Sequence, residues 1–181
     1  MLVMLSNSDD RYGLISKILH WSMALGIIGL IWLGWWIVDL SYYDSWYNRG
    51  LKLHRAFGMV VLILATLFMT WKIVTPSPPF QSQLRPWERL GAHVAHGVLM
   101  LAMFSIPISG YLTSTSAGEG FSFFELFQVP AVLPKSEPLR DLAIAVHYYF
   151  SYGMIAVIAT HAGAAFKHQF LDKHGTLRRM L

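Results

Sequence analysis

Hydrophobic and polar positions along the chain fall into four long apolar blocks separated by polar or proline-rich stretches. Ile18 to Val38 is interrupted only by His20 near its start, and Trp32, Trp35 and Trp36 gather at its far end. The second block opens at His54 and closes near Val74, with sixteen formally uncharged residues from Ala56 to Trp71. The third runs from about Leu90 to Thr113, and the fourth, Leu142 to Phe166, holds twenty-five residues without an Asp, Glu, Lys or Arg. Roughly 20 residues of helix cross the hydrocarbon core of a bilayer, so each block predicts one membrane span. The predicted fold is all-α, an integral membrane four-helix bundle in a single domain, with spans at 18–38, 54–74, 90–113 and 142–166 and a tail at 167–181.

The connecting segments agree with that division. Residues 39–53 are polar and rich in Tyr and Trp, which suits a loop at headgroup level. Residues 75–86, TPSPPFQSQLRP, carry four prolines and cannot continue a helix. Pro107 predicts a kink or bend in the third span. In the long loop from Ser114 to Asp141, the segment FSFFELF (121–127) predicts either a short interfacial helix or a hydrophobic loop packed on the bundle.

Composition narrows the chemistry. At 55% hydrophobic, 13% charged and a mean hydropathy of +0.45, the 181 residues are too apolar for an ordinary soluble domain. With no cysteine there is no disulfide, thiolate-bound cluster or covalently attached c-type haem, and eight histidines remain as candidate metal ligands. The formal charge of +4 does not point to nucleic acid, because the basic residues sit at the ends of apolar blocks rather than in a stripe. The first ten residues contain neither a basic group nor a small-residue cleavage site, so no signal peptide is expected.

Four spans put both ends of the chain on one side. That side carries nine Lys and Arg residues and the other five, and the excess marks the cytoplasmic face. Both termini and the proline-rich turn are thus expected to be cytoplasmic, and loops 39–53 and 114–141 outside.

This orientation sorts four histidines by depth. His147 and His161 are fourteen residues apart on the fourth helix, about 21 Å along its axis and within roughly 40° of one another around it. His20 enters the first helix at the level of His161, and His54 opens the second at the level of His147. Two His–His pairs result, one per leaflet. A b-type haem needs an imidazole on each face of a flat ring, and facing helices of a bundle can supply both. Gly58 and Gly163 are small enough to let a ring approach the backbone. Haem propionates call for basic partners: Arg55 with Lys52 suits an outer haem, and Lys17, Lys72 and Lys167 an inner one. Each of these cations also suits, and somewhat better, snorkelling at a helix end.

Two other readings fit less well. Core histidines bonded to nearby carbonyls would not need to sort into depth-matched pairs. A proton relay or metal transporter needs carboxylates inside the spans, whereas all ten Asp and Glu lie in termini, loops or helix ends. His93 and His96, three residues apart, suit either a quinone headgroup or a plain interfacial pair. His168 and His174 read as surface residues.

With those residues in place, the sequence resembles the bacterial cytochrome b561 family of small four-helix dihaem membrane proteins. The likeness covers nearly the whole chain: His20-Trp21, His54 with Gly58, the proline-rich turn at 76–79, His96, His147, His161-Ala162-Gly163-Ala164-Ala165, and the ending Thr176-Leu177-Arg178-Arg179-Met180. It implies haem b, two per chain, with His20 and His161 as iron ligands of the cytoplasmic haem and His54 and His147 of the periplasmic one. It also implies electron transfer with ubiquinone, from an extracytoplasmic donor for which superoxide is the named candidate. Related cytochromes serve instead as haem-bearing anchors that relay electrons for a larger complex. Relatives often carry two basic residues a turn apart at the end of helix two, whereas here Phe68 precedes Lys72.

Overall fold

Each apolar block winds into a helix that outruns it. In the computed structural model, which describes residues 4–181, α1 is Leu14–Asp39, α2 Tyr47–Val74, α3 Pro86–Thr115 and α4 Glu137–Phe166. The first three residues of the polar lead-in lie outside the described residues. Helices of 26 to 30 residues are about 40 Å long or more, against a hydrocarbon core of roughly 30 Å, so their ends stand among the headgroups. That explains the extra turns: α2 starts at Tyr47, two turns before His54.

Local sequence sets the helix starts. At α3 the Glu88 side chain accepts from the Arg85 backbone N–H at 2.9 Å, and Pro86 occupies the first turn, where its missing N–H costs nothing. At α4 the Ser136 hydroxyl accepts from Leu139 N, with Pro138 in the first turn. Pro107 stays inside a continuous α3.

The helices run antiparallel in sequence. α1 packs on α2 and α3 on α4 most extensively, with α2 against α3 joining the two hairpins. Their common core is a thin layer of Met23, Ala65, Ala102, Met103 and Met154, edged by Ile27, Phe68, Leu99 and Ile158. Alanines bring backbones close, and unbranched methionines fill what remains. Elsewhere large apolar side chains face outward on every helix, Leu25, Ile63, Leu101 and Tyr149 among them. Lipid is the solvent for such surfaces.

One end of the bundle is tied into a cap. Asn7 donates to the carbonyls of Thr75 and Pro76 and accepts from Gly13 N and Ser16 Oγ. Arg179 donates to Asp10 O and Pro79 O, Trp21 Nε1 to Met180 O, and Gln81 Nε2 to His174 O at 2.6 Å. Lead-in, proline-rich loop and tail thus interlock. The tail is ordered by a π-helical turn, Lys167–Leu171, and a short 3-10 turn, Leu177–Arg179. Lys167 Nζ bonds both Asp172 Oδ2 (2.6 Å) and Glu88 Oε1 (3.1 Å). Bonds from Lys167 and His168 hold the Asp172 carboxyl below its ordinary value. The cap therefore gains stability above about pH 4 and loses it as the pH falls through that lowered value. His168, expected on the surface, is buried beneath this network, because the π-turn directs its ring inward.

The other end corrects a second expectation. FSFFELF forms neither a helix nor a plain loop: Phe121–Phe123 (β1) and Phe127–Val129 (β2) pair antiparallel in a small hairpin. Alternation of Phe with Ser or Gln, in aromatic residues that favour strands, is a period of two rather than 3.6. Gly120 is required beside it, since a Cβ there would collide with the Val129 carbonyl. Phe124 packs edge-on against Phe57 of α2 at 5.1 Å, and the Tyr111 hydroxyl donates to Pro130 O and accepts from Val132 N.

The hairpin tip holds Phe124 and Glu125 at φ of +47° and +63°, where a side chain costs about 1–2 kcal/mol. Glu125 also meets Lys52 at 3.5 Å, but both are exposed, and such pairs contribute about 0.2–1 kcal/mol. Relief of strain should therefore outweigh loss of the ion pair. Glu125→Gly is expected to raise the resistance of segment 116–136 to limited proteolysis relative to the parent; a clear fall would show that the Lys52 contact dominates.

Candidate cofactor site

α4 carries both halves of the site. At the capped end, His161 faces His20 of α1, with ring centroids 6.5 Å apart and planes inclined by 56°. At the hairpin end, His147 faces His54 of α2 at 6.2 Å and 72°. The Met-rich core layer lies between the two levels, which leaves each pair its own compartment.

These separations carry chemical meaning. Two imidazoles that reach one metal from opposite sides through bonds of about 2 Å would have ring centres roughly 6 Å apart. Both pairs match that spacing. His96 of α3 also approaches His161, but at 5.2 Å, closer than two rings on opposite sides of one ion would stand.

Hydrogen bonds set up the outer pair. His147 Nδ1 lies 2.9 Å from the Ile106 carbonyl, which assigns the proton to Nδ1 and leaves Nε2 as a lone-pair donor. Ser109 donates to the same carbonyl at 2.8 Å. His54 Nδ1 and Arg55 Nε are both buried without a partner. Such orphans cost about 1–3 kcal/mol each, more for a charged group, and point to a ligand that answers them. A haem fits this donor set: imidazoles in facing positions, and a half-buried guanidinium N–H suited to a propionate.

The glycines that shape the site differ from those singled out by sequence. A Cβ at Gly110 would lie 3.0 Å from His147 Cε1 and 3.2 Å from its Nδ1, and one at Gly34 would lie 3.3 Å from His54 Cε1. Neither was legible in the sequence, because nothing in the spacing of Gly34 or Gly110 relates it to a histidine on the neighbouring helix. A Cβ at Gly58, one turn from His54, would meet no protein atom within 4 Å, which leaves room there for a flat ring, whereas Gly163 is exposed and two residues on from His161, on the opposite face of α4.

The basic residues divide. Arg55 stands at the outer pair, but Lys52 is engaged with Glu125 at the surface. At the inner end Lys17 donates to the Leu181 backbone oxygen, and Lys167 is held by Glu88 and Asp172, so both serve the cap. Lys72 remains in the last turn of α2. His93 and His96 both meet Phe80, edge-on at 4.7 Å and parallel at 6.3 Å, but His93 Nδ1 is satisfied by Arg89 O at 2.9 Å, whereas His96 turns toward His161.

The sequence pattern of the prokaryotic cytochrome b561 family matches residues 11–181. The chain is 38% identical over 176 residues to cytochrome b561 homolog 2 of Escherichia coli (strain K12), covering 97% of this chain and 94% of that protein. It is 26% identical over 182 residues to cytochrome b561 homolog 1 of the same organism, covering 95% and 97% of the two chains. A Yersinia pestis protein named Probable superoxide oxidase CybB is 27% identical over 173 residues, covering 94% and 96%. The family binds haem of the b type.

The Gly110–His147 contact is specific enough to test. Gly110→Ala should displace the His147 ring by a few tenths of an ångström and shift or weaken the reduced haem spectrum. Gly29→Ala, on an exposed face with nothing within 4 Å, should leave the spectrum unchanged. Identical spectra for both variants would refute the contact.

Proposed function

Since the chain belongs to the prokaryotic cytochrome b561 family, we propose that it is a dihaem electron carrier of the bacterial inner membrane, moving electrons from an extracytoplasmic donor to ubiquinone. The observation that carries this reading is the presence of two histidine pairs, at 6.5 and 6.2 Å, on opposite sides of a packed core layer. His20 and His161 would hold the inner haem; His54 and His147 would hold the outer one. Haem b supplies reversible one-electron transfer when held between two imidazoles. Every other part of the function falls to the protein's own groups.

At the outer pair, the Ile106 carbonyl fixes the His147 tautomer and Gly34 and Gly110 admit the rings. Arg55 Nε is assigned to a propionate. Superoxide is the donor favoured by the family resemblance and by the name of the Yersinia relative. Two superoxide ions give up one electron each and leave as dioxygen, and one quinone takes both electrons with two protons. The quinone headgroup is assigned to the inner end, where His96 and Phe80 lie beside His161. Loops at the hairpin end would face the periplasm and the cap the cytoplasm, in accord with nine cationic residues against five.

Steering of an anion would rest on few groups. Of the five outer cations, Lys52 meets Glu125, Lys135 and Arg140 both meet Glu137, and Arg49 lies over the Trp46 ring at 5.4 Å. Arg55 is the one with a buried N–H lacking a partner.

A second reading draws on the exposed apolar groups at the same end, Tyr43, Leu126 and Val132 among them. They would suit a partner's surface if the protein were a haem-bearing anchor that relays another subunit's electrons. Purified protein reduced by superoxide without a partner would set this reading aside.

Two outcomes are expected. His20→Ala and His54→Ala should each lose one of two haems by pyridine haemochrome assay, and a variant that keeps both would break the pairing. In stopped-flow reduction by superoxide, Arg55→Gln should slow the rate several-fold, most at low salt, whereas Lys52→Gln should have a smaller effect. Equal rates in all three proteins at every ionic strength would remove the role of Arg55.

A further inference from the structure

The cap holds a second cluster of ligating side chains that neither histidine pair uses. His168 lies in the π-turn after α4, Asp172 closes that turn, and His174 follows two residues later. Each offers one ligand atom, and these atoms all lie within 4.8 Å of one another. His168 Nδ1 is 2.7 Å from Asp172 Oδ2. The His174 ring lies nearly parallel to that of His168, at 5.7 Å and 10°, and its Nδ1 is buried with no hydrogen-bond partner.

The backbone is bent to make this cluster. Lys173 and Gly175 take φ of +57° and +72°, a left-handed reversal on both sides of His174. A bond from His174 N to His168 O at 2.8 Å returns the second ring over the first. Lysine rarely adopts such a φ unless its surroundings impose it. The neighbours here fix His174 with one ring nitrogen unanswered.

We propose that His168, Asp172 and His174 form a binding site for a divalent transition-metal ion, Zn²⁺ being the ion best matched to its donors. Two imidazole nitrogens and one carboxylate oxygen form a borderline donor set of the kind that holds zinc, with water completing a tetrahedron. Magnesium and calcium prefer oxygen throughout, so two imidazoles select against them. Donors about 2 Å from a tetrahedral ion lie roughly 3.3 Å from one another. The His168–Asp172 gap would open slightly and the widest gap would close by about 1.5 Å or less, movements within reach of side-chain torsions. The proton between His168 and Asp172 leaves as the metal enters.

Charge and access also fit. The Lys167 ammonium opposes a cation, but it has Glu88 as a second partner at 3.1 Å when Asp172 turns to the ion. The Glu88 side chain is 7% exposed and offsets that charge at close range. A cleft of about 480 Å³, lined by Arg85, Glu88, Lys167, Asp172 and His174, leads to the cluster and leaves space for the water ligand. The ion would fasten the tail to the end of α4, seven residues beyond His161. Through the His174 carbonyl on Gln81, it would also fasten the proline-rich loop.

The test uses purified holoprotein carrying no oligohistidine tag, stripped with EDTA and re-equilibrated with a small molar excess of Zn²⁺. Zinc and iron are then counted by mass spectrometry after gel filtration. Wild type should retain one more zinc per chain than His174→Ala or Asp172→Asn, with haem content and visible spectrum unchanged, while His93→Ala retains as much as wild type. Zn²⁺ but not Mg²⁺ should also raise the thermal midpoint of wild type, and that rise should vanish in His174→Gln, which guards against a variant that fails to fold. Equal zinc in wild type, His174→Ala and Asp172→Asn, or no zinc in wild type, would overturn the site.

Discussion

Along about 30 Å of this molecule there is no water to answer a polar group, and that constraint governs where its histidines lie. An imidazole carried into the bilayer must be met by protein or ligand. Four of the histidines meet one another across helix pairs, near the two ends of the hydrophobic layer. The middle of the bundle is left to Met23, Ala65, Ala102, Met103 and Met154, which bring no hydrogen-bonding demand and pack the helices to a common core. Two histidine levels separated by an apolar one follow from the cost of burying polarity.

The same constraint explains how the levels are built. His147 is fixed by a carbonyl of α3, and its ring is admitted by Gly110 of that helix; His54 rests on Gly34 of α1. In both cases the helix that orients a histidine is the neighbour against which its own helix packs most extensively. The hairpins α1–α2 and α3–α4 therefore prepare the outer imidazoles, and the facing of α2 with α4 brings these together. The inner level is more crowded, with His20, His96 and His161 from three helices, and ring spacing separates the pair from the third member.

Much of this was legible in the sequence because a membrane reduces the problem to one dimension. Block length gave the helices, and depth along a helix gave the pairs. What stayed hidden were features that depend on lateral neighbours. Gly34 and Gly110 matter only once the hairpins close. The FSFFELF segment is too short for its period of two to compete with its hydrophobicity, so the β-hairpin was missed. His168 lies in a basic, polar stretch that reads as exposed, yet a π-turn buries it. Lys17 and Lys167 carry the right charge at the right depth for an anionic ligand, but the cap claims both, through Leu181 in one case and Glu88 with Asp172 in the other.

The two ends of the bundle are consequently different materials. At the hairpin end, order comes from aromatic packing and from Tyr111 holding the loop, and the polar groups at the histidine pair include orphans that await a partner. At the capped end, order comes from charged and amide groups that bond one another across three chain segments, so few cations remain to serve an anion there. An anionic cofactor edge at the outer level can look to Arg55, whereas at the inner level Lys17, Lys167 and Arg179 are already engaged by the cap. Asymmetry of this kind stabilises negative charge differently at the two levels. It is the physical basis on which two chemically identical cofactors in one chain would differ in their affinity for an electron.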